Sequence, residues 1–375
     1  MFRITVLPAE DGDCLFVETG ARPHRILIDG GRSKTARGPL TFLLDGLQPR
    51  TGAAIDLMVL SHVDADHIEG VLDILETRTD IAPGNIWFNG LNACRVADGK
   101  SPLTRKPVGT SVRQTQAPIL SALQGEKFSQ SICEKNWAWN KGWKDAAVMV
   151  EPDEPLPTVE LDGGARLILL GPTRSSLAAL RSEWERTVRK EIAKEMPGVL
   201  GGKRGAAHLP GRAAEFYAAK RDEPDDAVPN GSSITFVLEC DGKRALFAAD
   251  AHPDDLATAL ERYQPGGGRI CFDAIKVAHH GSAANNTSPL LARLQSPLWL
   301  VSSNGSRHGH PDPEAIARIV LTPAAKRLVF NYHSEYSDVW NDELAGSAYN
   351  YTCQFPVENG DCTVIDLDSD CLGIK

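Results

Sequence analysis

Ser61-His62-Val63-Asp64-Ala65-Asp66-His67 places four metal-binding side chains, His62, Asp64, Asp66 and His67, within six positions. The run before it, AAIDLMVL (53–60), is almost continuously apolar, as in a strand buried on both faces. The run after it, HIEGVLDILETR (67–78), sets Ile68, Val71, Leu72 and Leu75 on one face of a helix. The four side chains therefore occupy a tight loop between a buried strand and a helix start. The strand fixes the loop, so positions 62, 64, 66 and 67 can converge on one small volume. Neutral imidazole nitrogen and anionic carboxylate oxygen together suit Zn, Mn or Fe. The plain alternative is a solvated turn with an Asp helix cap. Two His flanking two Asp at this spacing favour the metal reading.

Other segments repeat the arrangement of an apolar strand with polar groups at its mouth. ALFAAD (245–250) ends at Asp250, and AIKVA (274–278) runs into His279-His280-Gly281-Ser282. LWLVSSN (298–304) is followed by a loop holding His308 and His310. Upstream, FRITVL (2–7), CLFVE (14–18) and RILID (25–29) read as three short strands, the last ending at Asp29-Gly30-Gly31. Strand ends are where an open sheet presents reactive groups. Asp250 alone reads equally well as a turn cap. Asp250, the His pair and His310, all after strands, favour a shared site.

The texture changes from about residue 92 to 228, where polar and helical stretches dominate. SSLAALRSEWERTVRKEIAKEM (175–196) is the clearest helix in the chain, with Ser175 or Ser176 as its cap. RLILLGP (166–172) again predicts a buried strand. Much of 92–228 reads as a partly helical insertion or lid within a single domain spanning 1–375. Residues 341–375 read as a C-terminal extension whose CTVIDLD (362–368) predicts a final strand that either completes a sheet or covers an edge. Shorter helices are expected over 253–263, 287–294 and 313–320.

Composition narrows the function classes. Of 375 residues 42% are hydrophobic and 24% charged, which excludes disordered, collagen-like and coiled-coil chains. No stretch approaches the ~20 apolar residues of a membrane span. The N-terminus reads as a strand rather than a charged segment leading an apolar one, so a soluble, cytoplasmic protein without membrane contact is expected. Eight scattered Cys with no C-x-x-C pair read as reduced thiols. A net charge of −9 does not advertise nucleic-acid binding. Bound divalent metals reverse the local field, however, so a polyanionic substrate stays open.

His62-x-Asp64-x-Asp66-His67 resembles the signature of metallo-β-lactamase-fold hydrolases, whose usual pattern is His-x-His-x-Asp-His. The Asp at 64 resembles the branch found in the nuclease-like domain of ComEC-type DNA-uptake proteins. Gly12-Asp13-Cys14, Leu27 to Gly31, Asn230 to Ile234, Lys276 to Ser282, and Asn304 through Gly309-His310-Pro311 resemble further segments of that branch, in order. The resemblance implies an α/β fold, an αββα four-layer sandwich, with a dinuclear site for two divalent ions, Mn or Zn, along one edge. Carried over, His62 and Asp64 bind the first metal and Asp66 and His67 the second. Asp250 bridges them, His310 matches the last ligand position, and His279 or His280 binds metal or meets the substrate. The usual His between the first motif and the bridging Asp has no clear counterpart. His208 is the one His between 67 and 252, and it lies in a loop-like stretch. Asp64 and the missing His both harden the site, which favours Mn²⁺ over Zn²⁺.

A dinuclear site activates water at neutral pH and clamps transition-state oxygens. Asp66 orients the water; His279, His280 or Ser282 stabilises or protonates the leaving oxygen. The leading expectation is a phosphodiesterase, most specifically a nuclease. Lys100, Arg105, Lys106, Arg113, Trp137, Trp139, Lys141, Trp143 and Lys144 would then grip nucleic acid by stacking and charge; the plainer reading of the Trp is packing. One alternative is a small-molecule hydrolase for a lactone, thioester or cyclic nucleotide. Another is a non-catalytic partner subunit on a hydrolase fold. Oligomeric state has no signature in the sequence.

Overall fold

The computed structural model describes residues 1–47, 52–78, 80–103, 117–193 and 213–369. The alternating apolar runs form two mixed sheets. The first comprises β1 (Phe2–Val6), β2 (Leu15–Thr19), β3 (His24–Ile28), β4 (Leu57–Val59) and β5 (Asn85–Trp87). The second comprises β6 (Thr158–Glu160), β7 (Arg166–Gly171), β8 (Thr235–Cys240), β9 (Lys243–Phe247), β10 (Ala274–Lys276), β11 (Leu298–Val301), β12 (Lys326–Phe330) and β13 (Tyr351–Gln354). The last strand, β14 (Thr363–Asp366), returns to the first sheet and pairs antiparallel with β1. The first sheet runs β14-β1-β2-β3-β4-β5, and the second lies in sequence order from β13 to β6. In each sheet the strands leading into the candidate site are parallel: β3 with β4, and β9 with β10 and β11.

Period-two burial divides the core into three. Phe2, Ile4, Val6, Ile26, Ile28, Leu57 and Val59 of the first sheet meet Leu167, Leu169, Phe236, Leu238, Phe247 and Leu300 of the second. The alternate residues face outward on each side. Leu27, Met58 and Leu60 pack under helix α1 (Ala65–Thr77), α2 (Ala117–Lys135) and α3 (Arg174–Ala193). Ile168, Val237, Leu246, Ile275, Trp299 and Leu328 pack under α4 (Pro253–Tyr263) and α5 (Pro313–Val320). A strand buried on both faces requires a layer on each side. The result is helix, sheet, sheet, helix. The helical face expected after residue 67 is the one buried: Ile68, Val71, Leu72 and Leu75 are at most 5% exposed.

The described residues of the segment 92–228 are woven into these layers. β6 and β7 join the second sheet through β8, and α2 and α3 lie in the layer outside the first. Its longest helix starts at Arg174, and Thr173, rather than Ser175 or Ser176, accepts the backbone N–H of Ser176 at 3.1 Å. A cap must precede the first helical residue, and Ser175 and Ser176 already lie inside. The tryptophans serve packing. Trp139 Nε1 donates to the Phe88 carbonyl at 2.8 Å, and its ring stacks on Phe88. Trp143 meets Trp87 edge-on at 5.0 Å. Trp137 is half-buried against the core, with the Lys135 ammonium over its ring. These rings have protein partners, in line with the plainer packing reading of the three Trp. Lys141 and Lys144 are exposed, and Lys100 pairs with Asp98. Arg105, Lys106, Arg113 and His208 lie outside the described residues. The cysteines among the described residues are free thiols, and no helix among those residues is long and apolar enough to cross a membrane.

Candidate metal centre

The strand ends of both sheets meet at one edge of the sandwich. β4 delivers Ser61 to His67, β3 delivers Asp29, β9 delivers Asp250, and β10 delivers His279 and His280. Left-handed backbone turns these side chains inward. Asp29, Ala249, His279 and His280 all have positive φ, between 44° and 57°. Such conformations cost ~1–3 kcal/mol each in a residue with a Cβ and persist where the surroundings over-determine them.

Asp250 lies at the centre and is 2% exposed. Its Oδ2 lies 3.4 Å from His67 Nε2, 3.5 Å from His279 Nε2, and 3.7 Å from both His62 Nε2 and His280 Nε2. The partners on the far side of each ring identify the nitrogen that carries hydrogen. His67 Nδ1 meets Asp29 Oδ2 at 2.8 Å, and His280 Nδ1 meets the Ser302 carbonyl at 3.0 Å. Both partners accept, so both Nδ1 atoms donate. Ser61 Oγ donates to Asp29 Oδ2 at 2.7 Å and so accepts from His62 Nδ1 at 3.0 Å. Asn285 commits its amide nitrogen to Asp225 and to the carbonyls of Asp250 and Ala251, turning its oxygen to His279 Nδ1 at 2.9 Å. Neutral, the four rings thus turn bare Nε2 lone pairs toward one carboxylate.

Lone pairs facing lone pairs in a dry site repel unless a cation lies between them. His62 Nε2, His67 Nε2, His280 Nε2 and Asp250 Oδ1 are buried without a hydrogen-bond partner. Among the described residues, four sets of donor atoms lie within 4.8 Å of one another: His62, His67 and Asp250; Asp66, His67 and His280; Asp13, Asp250 and His280; and Asp13, Asp29 and His67. The residues present fit divalent metal. The electrostatics agree. Burial pulls the pKa of His67 down, but Asp250 and Asp29 outweigh it and hold it well above the usual histidine value. Burial likewise opposes the charge on His280, yet Asp250 and Asp13 lift it to about 10. Burial pushes the Asp250 carboxyl up, while His279 and His67 hold it well below the carboxylate range. The pocket attracts positive charge, which a metal ion supplies in place of protons.

The other expected residues take distinct places. Asp66 Oδ2 is 3.4 Å from His280 Nε2 and 4.0 Å from His67 Nε2. Asp64 Oδ2 is 3.7 Å from His62 Nε2, at the rim. Burial and Asp66 push the Asp64 carboxyl up to about 6, with the Ser121 hydroxyl pulling the other way. His310 stands outside these groups: its Nδ1 is 3.4 Å from Asp312 Oδ1 and its ring centroid 5.5 Å from that of His279. His279 Nε2 is one of the four imidazole nitrogens that face Asp250, at 3.5 Å. His308 is exposed beside His310. Ser282 and both of these His line a cavity of about 530 Å³, together with Lys220, Arg221 and Arg318.

The fold is a four-layer sandwich of helix, sheet, sheet and helix. No protein-family model and no curated protein matches the sequence. Among solved structures, the fold is similar to zinc-bound PqqB from Methylobacterium extorquens (12% identity, 97% of this chain and 99% of that one, TM-score 0.43). It is also similar to the metallo-β-lactamase-fold protein YhfI from Bacillus subtilis (11%, 97% and 99%, TM-score 0.40). A third is CmlA, a diiron β-hydroxylase from Streptomyces venezuelae (12%, 96% and 54%, TM-score 0.38).

Behind these donors stand residues that sequence reasoning did not place in the site. Asp29 is 1% exposed and accepts from Ser61 N, Ser61 Oγ and His67 Nδ1. It ends an apolar strand, as Asp250 does, so the strand-end rule could have found it. Lys276 is fully buried and pairs with Asp13 at 2.7 Å. Asp225 gave no signal because it reaches His279 from a loop far off in sequence, and Asn285, though near His279 along the chain, lies in a polar stretch with nothing to mark it. Asp29→Asn removes one acceptor from this set and puts an amide against a donor. Divalent affinity is expected to fall about 10–100-fold, read by chelator competition. Unchanged affinity would show that Asp29 does not hold His67 in its binding tautomer.

Proposed function

We propose that this protein is a metal-dependent hydrolase with two divalent ions, acting on phosphodiesters and most specifically on nucleic acid. The convergence of four Nε2 lone pairs on Asp250 carries the metal-dependent part. Charge supports the number two. Lys276 offsets Asp13 and Arg32 offsets Asp11. Asp29, Asp64, Asp66 and Asp250 form no Lys or Arg ion pair among the described residues, leaving four negative charges that two divalent ions balance. His62 and Asp64, with His279, would hold one ion; Asp66, His67 and His280 the other; Asp250 would lie between them. Ions held there supply Lewis acidity and bring the pKa of water toward neutrality. Asp64 argues for Mn²⁺, and both Mn²⁺ and Zn²⁺ belong in the assay.

The cavity beside His310 is mixed in charge: Lys220, Arg221 and Arg318 line it together with Glu223, Asp312 and Glu314, and Lys220 is paired with Glu314. Arg221 would steer a phosphate toward the centre. His310 lines the same cavity, its Nδ1 3.4 Å from Asp312 Oδ1, and would offer a ring nitrogen to a bound substrate. Ser282 lines the same wall and offers a hydroxyl to a bound oxygen. The test is cleavage of single-stranded, linear and supercoiled DNA by Mn²⁺- and Zn²⁺-loaded protein, with Asp66→Ala alongside. Wild type is expected to cut and the variant not. The second reading, a small-molecule hydrolase, draws on the cavity volume, which suits one compact ligand. A protein holding two ions per chain that leaves every DNA intact would favour it.

A further inference from the structure

Helix α2 lies against the turn that carries His62, Val63 and Asp64, and two contacts fix it there. Ser121 Oγ donates to Asp64 Oδ1 at 2.9 Å across 57 residues of sequence. One turn later, Gly125 lets the helix backbone come close: a Cβ there would lie 2.4 Å from Trp184 Cη2 and 3.1 Å from Val63 Cγ1. Ser121 is 3% exposed, whereas the Asp64 side chain is 31% exposed at the rim. The donor is therefore the rigid partner and the carboxylate the one being held.

A histidine at position 64 would present one ring nitrogen in a planar, stiff side chain. An aspartate brings two equivalent oxygens and freedom to turn about its last torsion. We infer that Ser121 is a positioning residue that removes this freedom: its hydroxyl occupies Oδ1 and leaves Oδ2 turned toward His62 Nε2, making Asp64 a one-oxygen ligand of the metal centre. The inference rests on the metal centre proposed above. It ties an outer-layer helix, absent from the motif itself, to the departure at position 64. A shift of α2 would then alter one ligand while leaving the four imidazoles in place.

The test uses the full chain carrying Ser121→Ala, Ser121→Thr, Asp64→Ala, or Ser121→Ala with Asp64→Ala. Zn²⁺ and Mn²⁺ affinities come from chelator competition, and melting is followed in excess chelator. Ser121→Ala is expected to weaken one ion by about 10–100-fold, and Ser121→Thr to restore it. Melting in chelator should fall by at most about 2–4 °C, the scale of one hydrogen bond in a chain of this size. In the Asp64→Ala background, Ser121→Ala should change nothing further, because its partner is gone. Wild-type affinity in Ser121→Ala overturns the role of Ser121 alone, as does an effect that persists without Asp64 or that threonine fails to restore. A wild-type chain that binds neither ion overturns the metal centre and this role together.

Discussion

Asp250→Asn is expected to leave a folded protein that no longer retains divalent metal. One oxygen of Asp250 lies within 3.7 Å of four imidazole nitrogens, and no other carboxylate oxygen has more than two of them within 4.0 Å among the described ion pairs. The amide is neutral and nearly isosteric, so packing is kept while the central charge is lost. The loss in affinity should exceed the ~10–100-fold typical of removing a partner behind a ligand. Melting with and without added metal gives the readout. Wild type should gain about 2.7 kcal/mol with the free ion at a hundred times its Kd, and the variant should gain nothing. Equal stabilisation of both proteins by Mn²⁺ or Zn²⁺ would place the metal elsewhere.

Gly12→Ala is expected to disrupt the centre by a steric route. A Cβ at Gly12 would lie 1.8 Å from the Asp66 carbonyl oxygen and 2.8 Å from its Cβ. The carbonyl is backbone in the first turn of α1 and the Cβ is fixed to that backbone, so no flexible side chain can move aside. Gly12 precedes Asp13, and its own carbonyl accepts from Ser302 Oγ at 2.7 Å. The methyl group must push the start of α1 or the Asp13 loop off the centre. Overpacking of this kind costs ~1–3 kcal/mol and occasionally more; contact between two backbones puts this case at the upper end. Denaturant melts should show a loss of about 3 kcal/mol, and metal content by elemental analysis should fall with it. A variant with wild-type stability and metal content would contradict the packing at this turn.

Much of the site was legible because its residues follow apolar strands. His62, Asp64, Asp66 and His67 sit where the buried run 53–60 stops, and Asp250 and His279-His280 end two further runs. Alternation reveals a strand, and the first polar residue after it reveals a mouth. β6 and β13 were not legible. β6 is short and largely exposed, with no buried pattern to display, and β13 lies in a polar tail. Helix α2 was missed because its polar residues Ser121, Gln124, Glu126 and Ser129 are buried, which blurs the polar and apolar faces that mark a surface helix.

By itself the sequence determined the buried strands, the helix after residue 67 and the place of the His-Asp loop between them, while the αββα layering came only as what the family resemblance implied. The strands and the loop follow from periodicity and from residue type at strand ends, which are local properties. Tertiary structure alone decided which imidazoles face Asp250, which nitrogen of each ring faces it, and what holds Asp64. These depend on partners up to 57 residues away, such as Ser121 on Asp64, Asn285 on His279 and Asp29 on His67. A hydrogen bond is a relation between two positions in space, and the spacing of residues along a chain does not contain it until the chain is folded.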